Sequence, residues 1–305
     1  MARCTKNKIN FASAPCPALG FQRVTTQPPF ALEDELGDVL EKALRRAGVT
    51  HELLAVEAQV PIGKILDAID YRSDLTCAEL RRVAATLKLN EVGLCALGSG
   101  KYPTPEIGAL PFCLWPLRMP HGIGFANAYL VAECGASHAI LFDTGVGIDA
   151  IGIAWPRSVR TLDAVFLTHV EAEHTGGLRE ILSRFGAPAA FIPVGAAAPG
   201  GRAMGDGARQ TFGPLTVTAY ATPGHAAAHN CYLVQALGAP NGGSLLISGD
   251  LVFAGSVGGA YFSPRQLQTS LVRILAAIPA NTVIAPGHGP LTTVENELRF
   301  NPFAV

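Results

Sequence analysis

The stretch that decides the fold is Thr168-His169-Val170-Glu171-Ala172-Glu173-His174-Thr175-Gly176-Gly177. Within six positions it carries four side chains able to bind a metal ion: His169, Glu171, Glu173 and His174. The apolar run at 162–167 is short enough for a buried strand, and residues 178–185 are predicted to form a helix. The four side chains should therefore lie on a loop at a strand end, where α/β proteins commonly keep their chemistry. In an extended loop, alternate side chains point the same way, which would group His169, Glu171 and Glu173.

Four shorter motifs flank this stretch along the chain: Asp143-Thr144-Gly145, Thr222-Pro223-Gly224-His225, Ser248-Gly249-Asp250 and Pro286-Gly287-His288-Gly289-Pro290. In this order, over roughly residues 109–303, the five motifs resemble those of the metallo-β-lactamase superfamily, whose signature loop usually reads His-x-His-x-Asp-His-x-Gly-Gly. The resemblance implies an α/β fold, the αββα metallo-β-lactamase sandwich, with two metal ions. This chain departs from the signature because Glu171 replaces the second histidine and Glu173 replaces the aspartate.

The resemblance also implies a role for each motif residue. The expected ligands are His169, Glu171 and His225 for one ion, and Glu173, His174 and His288 for the other. Asp250 would bridge the two ions, Asp143 would support the site from behind, and His229 would lie near it without binding a metal. No side chain is assigned as the catalytic group, because in this superfamily the reacting water or dioxygen belongs to the metal ions.

Glu171 favours one kind of chemistry over another. The expected ligand set holds four imidazoles and three carboxylates, and such mixed sites suit iron or manganese better than zinc. The His169-x-Glu171 pattern is also similar to that of the flavodiiron proteins. We therefore predict first a non-haem di-iron, or mononuclear iron, oxidoreductase that acts on a small molecule with dioxygen. We recognise no flavodoxin domain in this sequence that would supply a flavin. An external electron donor or a reducing substrate would therefore be needed.

A second prediction is a dinuclear zinc hydrolase of a thioester, ester or lactone. Residues 248–258 and 286–303 are similar to the glyoxalase II-like branch of the superfamily, whose members usually continue Ser-Val-Gly with Arg and Asp. This chain has Gly259, Ala260 and Tyr261 instead, and Tyr261 is the residue that we expect to contact the substrate. A third prediction is a metal-based sensor or regulator.

The N-terminal part of the chain is predicted to be separate and helical. Residues 31–97 resemble a Cro/repressor-type helix-turn-helix domain, with residues 62–70 as the recognition helix. From Leu32 to Cys95 there are 12 acidic and 8 basic residues, a net charge of −4, the wrong sign for phosphate contacts. We therefore expect no DNA partner, and expect this domain to pack on the catalytic domain or to form a homodimer. The remaining divisions are a poorly ordered leader at 1–30, a linker at 98–108 and the catalytic domain at 109–305.

Composition sets the other expectations. The net charge of −1 over 305 residues implies no general attraction to nucleic acid or anionic membranes. No apolar run approaches the ~20 residues of a membrane helix. Seven scattered cysteines predict reduced thiols and a cytoplasmic protein rather than a disulfide framework. The glycine-rich residues 199–207 are predicted to be a flexible loop. Three histidines fit no motif: we place His51 and His138 at the surface, and His121 as a candidate for the border of the pocket.

Overall fold

The structure is a computed structural model that describes residues 31–122, 124–238 and 243–305. Its strands are β1 (Cys113–His121), β2 (Gly124–Ala132), β3 (His138–Phe142), β4 (Thr161–Phe166), β5 (Ala189–Pro193), β6 (Gly201–Met204), β7 (Arg209–Phe212), β8 (Leu215–Ala221), β9 (Asn230–Ala236), β10 (Leu245–Gly249), β11 (Val283–Pro286) and β12 (Thr292–Thr293). Its helices are α1 (Leu36–Ala47), α2 (His51–Ala58), α3 (Ile62–Ile69), α4 (Cys77–Leu87), α5 (Glu91–Gly98), α6 (Ile148–Ala154), α7 (Ala172–Thr175), α8 (Leu178–Arg184), α9 (Pro264–Ala277) and α10 (Val294–Phe300).

The strands form two six-stranded sheets, in the orders β1-β2-β3-β4-β5-β6 and β12-β11-β10-β9-β8-β7. The alternation of side chains along each strand separates the layers. In β2, Tyr129 and Val131 enter the core between the sheets, whereas Leu130 enters the core shared with Ile181 of α8. The outer face of the second sheet packs against α9 and α10. Helices thus cover both outer faces, and the predicted αββα fold is confirmed.

Helices α1–α5 share a single hydrophobic core with α9 and α10. Arg46 of α1 donates to the side chain of Gln268 on α9 at 3.0 Å. Gly93 of α5 approaches α10 so closely that a Cβ there would lie 2.0 Å from the carbonyl oxygen of Phe300. Within the predicted linker, the Tyr102 hydroxyl donates to the buried Glu297 carboxylate at 2.7 Å. The helical region therefore packs on the catalytic region, while the predicted boundaries at 97 and 108 stay predictions.

Two expectations are corrected. The prediction of reduced thiols is wrong for Cys113 and Cys134, which form a disulfide with their Cα atoms 5.2 Å apart. Cys113 pairs across the antiparallel hairpin with Ala132, so Cys134, two residues further on, comes within its reach. The glycine-rich residues 199–207 are not all loop, because residues 201–204 form β6 and pair in parallel with β5 at the sheet edge.

The predicted leader at 1–30 lies outside the described residues. In the described part of the chain, none of the helices combines the length and the apolar character needed to cross a membrane.

Candidate metal centre

The residues named by the five motifs follow the carboxyl ends of strands from both sheets. Asp143 follows β3, His169 lies just beyond β4, His225 beyond β8, Asp250 directly after β10, and His288 beyond β11. The pairs β3/β4 and β10/β11 are parallel, so their carboxyl ends share an edge. The sheets therefore gather side chains that are far apart in the sequence at one place, as open α/β sheets commonly do.

The four histidines of the cluster are held in the same way, by a hydrogen bond from ring atom Nδ1 to a protein oxygen. The partners are Thr168 Oγ1 for His169 (3.0 Å), Asp143 Oδ2 for His174 (3.2 Å), the Gly259 carbonyl for His225 (2.8 Å) and the Phe125 carbonyl for His288 (2.8 Å). Carbonyl and carboxylate oxygens only accept, so in the neutral form of each ring Nδ1 carries the proton and Nε2 keeps its lone pair. The Thr168 hydroxyl donates to Asp143, so it too accepts from His169.

The Nε2 atoms of these four histidines are available to bind a cation. Those of His169, His174 and His225 are buried and have no hydrogen-bond partner among the described residues, and Asp250 Oδ1 is in the same condition. Buried polar atoms without a partner are costly, and bound metal ions would satisfy all four. The donor set of these residues therefore fits a metal ion.

Asp250 occupies the middle of the cluster. Its Oδ1 lies 3.5 Å from Nε2 of His174, and its Oδ2 lies 3.6 Å and 3.5 Å from Nε2 of His225 and His288. Two donor atoms on one ion, each about 2.1 Å from it, lie ~3.0–3.4 Å apart, so these spacings are close to those of shared ligands. Burial opposes the charge on Asp250, but the surrounding imidazoles outweigh it and hold the pKa of this carboxyl below its usual range.

The two glutamates belong to different halves of the cluster. Oε1 of Glu171 lies 3.2 Å from Nε2 of His225, and its Oε2 lies 4.0 Å from Nε2 of His169. Glu173 instead groups with His174 and His288, with ligand atoms within 4.8 Å of one another. The predicted extended geometry holds only as far as Glu171, because the helical turn α7 begins at Ala172 and redirects Glu173.

Asp143 lies behind the cluster and fixes two of its elements. Its Oδ1 accepts from the Thr168 amide at 2.8 Å, and its Oδ2 accepts from the Thr168 hydroxyl at 2.9 Å as well as from His174. Burial works against a charged His174, but Asp250 and Asp143 outweigh it and raise the pKa of His174 to about 9. The cluster thus attracts positive charge to this position.

His229 has both of its ring nitrogens occupied. Its Nε2 accepts from the Asp250 amide at 3.2 Å, and its Nδ1 lies 2.8 Å from the Thr222 hydroxyl. Burial, with a smaller effect of His225, lowers the pKa of His229 to about 3 and keeps the ring neutral. The ring therefore holds the backbone of Asp250 and has no lone pair left for an ion. Gly287 completes this packing, since a Cβ there would lie 2.1 Å from Asp250 Oδ1.

Three further side chains border the cluster. Nε2 of His121 lies 3.8 Å from Oε1 of Glu173. The ring of Tyr261 lies 5.3 Å from that of His225 and is 75% exposed. Glu33, which the sequence analysis missed, places Oε1 3.6 Å from Nδ1 of His288. No motif contains Glu33, because it precedes α1 and only folding brings it to His288. His51 and His138 instead contact Glu41 and Asp163 respectively.

Comparisons with known proteins agree with this fold. The sequence profile of the Metallo-beta-lactamase superfamily matches residues 121–288, more than half of the chain. A probable metallo-hydrolase of Bacillus subtilis, YqgX, is 29% identical over 210 residues, which are 61% of this chain and 95% of that protein. A hydroxyacylglutathione hydrolase of Salmonella enteritidis is 31% identical over 128 residues, 41% of this chain and 47% of that protein. The crystal structure of the BLEG-1 B3 metallo-beta-lactamase superposes with a TM-score of 0.52 at 25% identity, covering 62% of this chain and 98% of that one.

An αββα sandwich with imidazoles and carboxylates gathered at its strand ends defines a metal-dependent enzyme. The chain belongs to the metallo-β-lactamase superfamily.

Proposed function

We propose that this protein is a dinuclear metalloenzyme that oxidises a small molecule with dioxygen, and that iron is its working metal. The observation that carries the proposal is the position of Glu171, whose carboxylate lies among the imidazoles of His169 and His225. It replaces a neutral imidazole with a hard, negatively charged oxygen donor. Such a ligand set favours iron or manganese and stabilises higher oxidation states.

In this proposal the side chains have separate roles in metal binding, ligand orientation and substrate contact. His169, Glu171 and His225 would hold one ion, and Glu173, His174 and His288 would hold the other, with Asp250 between them. Two bound irons would supply Lewis acidity and the electrons for dioxygen chemistry. Asp143 and His229 orient His174 and Asp250 through the hydrogen bonds described above. Tyr261, exposed beside His225, is placed to contact a substrate that approaches Glu171.

The flavodiiron-like pattern belongs to this proposal. A flavodiiron protein has its own flavin, whereas this chain would depend on an external electron donor or on electrons from its substrate. A reducing small molecule bound beside Tyr261 is the simpler arrangement of the two.

A zinc-dependent hydrolase of a thioester, ester or lactone is the second candidate. It is favoured by the similarity to a probable metallo-hydrolase and to a hydroxyacylglutathione hydrolase. In that case Glu171 would lower the acidity of bound water, because its negative charge opposes loss of a proton. A hydrolase with this ligand set would therefore need a more alkaline pH for full activity than one with a histidine at position 171.

The experiment that separates the two candidates is metal analysis of protein expressed with iron and zinc both available, with optical spectra before and after exposure to dioxygen. Iron at two ions per chain and an oxygen-sensitive spectrum would support the oxidoreductase. Zinc with a silent spectrum would support the hydrolase, and hydrolysis of a panel of thioesters and lactones would follow. Protein that binds no metal under these conditions would contradict both.

A metal-based regulator remains the third candidate, with the helix-turn-helix-like residues 31–97 as its DNA-binding or dimerising part. The exposed side chains of α3 include Ile62 and Leu66, and Asp70, directly after this helix, is also exposed, which does not suit base or phosphate contacts. A DNA-binding titration at low salt tests this candidate, and we expect no binding. Affinity that falls steeply with salt would support the regulator instead.

A further inference from the structure

The segment that precedes α1 is anchored in the catalytic region by Asp34. This carboxylate is 8% exposed and accepts hydrogen bonds from the Ser256 hydroxyl and from the Lys42 ammonium group. Lys42 also donates to the Val257 carbonyl at 2.8 Å. Ser256 and Val257 lie in the loop that follows Asp250, so these bonds tie the start of the helical region to the metal-centre side of the sandwich.

This anchor places the neighbouring residue, Glu33, against the last motif of the cluster. The backbone of Glu33 packs on Gly289, where a Cβ would lie 3.2 Å from the Glu33 amide nitrogen. Its Oε1 then lies 3.6 Å from Nδ1 of His288, with the two side chains 28% and 13% exposed. The contact is therefore sheltered and fixed at both ends, unlike an ion pair between mobile surface side chains.

We propose that Glu33 is a positioning residue of the metal centre, which orients His288 and couples the helical region to the site. This inference rests on the proposed metal ligands. The Nδ1–H of His288 donates to the Phe125 carbonyl, and the Glu33 carboxylate lies 3.6 Å from the same nitrogen. Together they hold Nε2 towards Asp250, 3.5 Å away. A carboxylate behind a metal-binding imidazole fixes the ring and increases its basicity as a ligand.

The Glu33 carboxylate lies outside the sequence motifs of the superfamily. His174 has its own carboxylate, Asp143, within the catalytic region. Among the described residues of that region, Nδ1 of His288 is paired with a carbonyl, and the carboxylate near it comes from residue 33, at the start of the helical region. In this account the helical region completes the metal centre.

The test is a metal titration of the full-length chain and its Glu33→Gln variant with Zn²⁺ and Fe²⁺, each against a competing chelator. A Glu173→Gln variant identifies the binding step that belongs to Glu173, His174 and His288. We expect Glu33→Gln to weaken that step 10- to 100-fold and to change the other step less than twofold. The matched control is Glu57→Gln, the same change at an exposed position of α2, which should alter neither step.

Thermal unfolding of the metal-free variants separates positioning from folding. Equal affinities in Glu33→Gln and the parent chain would overturn the proposal. So would a parallel loss at both steps together with a lower unfolding temperature of the metal-free protein, because that result would describe a merely structural residue. A parent chain that binds no metal would overturn the proposed function, and this proposal with it.

Discussion

Glu171 is the residue at which this chain differs most in charge from the usual signature. Replacing it by histidine would restore five imidazoles and two carboxylates, the set expected for zinc. We expect Glu171→His to shift the bound metal from iron towards zinc and to abolish oxygen-dependent activity, as measured by metal analysis and oxygen consumption. The control is Glu171→Gln, which removes the charge but adds no imidazole. Iron content and oxygen consumption that persist in Glu171→His would refute the role given to this residue.

Asp143 controls the tautomer of His174 through a hydrogen bond of 3.2 Å to Nδ1. In Asp143→Asn, an amide nitrogen can face Nδ1 and the Thr168 hydroxyl, and the proton of the ring would then move to Nε2. We expect metal affinity to fall by about 10- to 100-fold, measured by chelator competition. The chain offers a matched control in Asp163→Asn, since Asp163 makes a similar contact of 2.6 Å with His138 at the surface. An Asp143→Asn variant with the affinity of the control would show that the bond has no such role.

At the scale of one element, the start of α4 is stabilised by a capping box of Thr76 and Glu79. An ion pair with Lys64 and hydrogen bonds from Thr76 lower the pKa of Glu79 to about 2. Because the folded pKa lies below the ordinary glutamate value of 4.5, the stabilisation is present above that value and disappears as the pH falls towards 2.

Glu79→Gln keeps the cap geometry and removes the charge. We expect it to lower the free energy of unfolding by about 1 kcal/mol at neutral pH, with the difference from the parent chain closing between about pH 5 and pH 2. Urea unfolding followed by circular dichroism across this range gives the measurement. A difference that does not depend on pH would contradict the assigned ion pair, and Glu57→Gln should show no difference at any pH.

The sequence predicted those elements whose evidence is local. The signature loop follows a short apolar strand, and the capping box of Thr76 and Glu79 is readable within four residues. Features set by tertiary contacts could not be predicted from the sequence. The disulfide of Cys113 depends on the register of a hairpin, and β6 depends on pairing of its backbone with β5. Neither is encoded by composition or by spacing.

The same distinction between local evidence and tertiary contacts applies to the candidate site. The motifs named the side chains that the fold brings together, because each motif is a contiguous strand end. Glu33 carried no signal, since its relation to His288 exists only through the packing of residue 33 on Gly289. The side-chain period of the loop also did not predict that Glu171 and Glu173 lie in different halves of the ligand cluster, because a four-residue helical turn is too short to predict from periodicity.

At the scale of the whole molecule, the candidate metal centre gathers loops from both sheets. Ions that bind only the folded chain stabilise it by mass action. At a free metal concentration about 100 times the dissociation constant, this gives ~2.7 kcal/mol for each ion, or about 4 °C in unfolding temperature for a chain of 305 residues. We therefore expect EDTA to lower the midpoint by that amount in a thermal scan, and added metal to restore it. EDTA already saturated with the metal that the protein carries is the control, and an unchanged midpoint would argue against metal ions at these loops.

The hydrophobic core that α1–α5 share with α9 and α10 also affects how the protein is made. The ribosome releases α5, which ends at Gly98, long before α9, which begins at Pro264. At a synthesis rate of about 5–20 residues per second, the apolar face of the first helices stays uncovered for roughly 10–30 s, until α9 and α10 have been made. During translation this face is open to chaperones and to neighbouring nascent chains. The protein should therefore reach its native state only after α9 and α10 have left the ribosome and packed on the first helices.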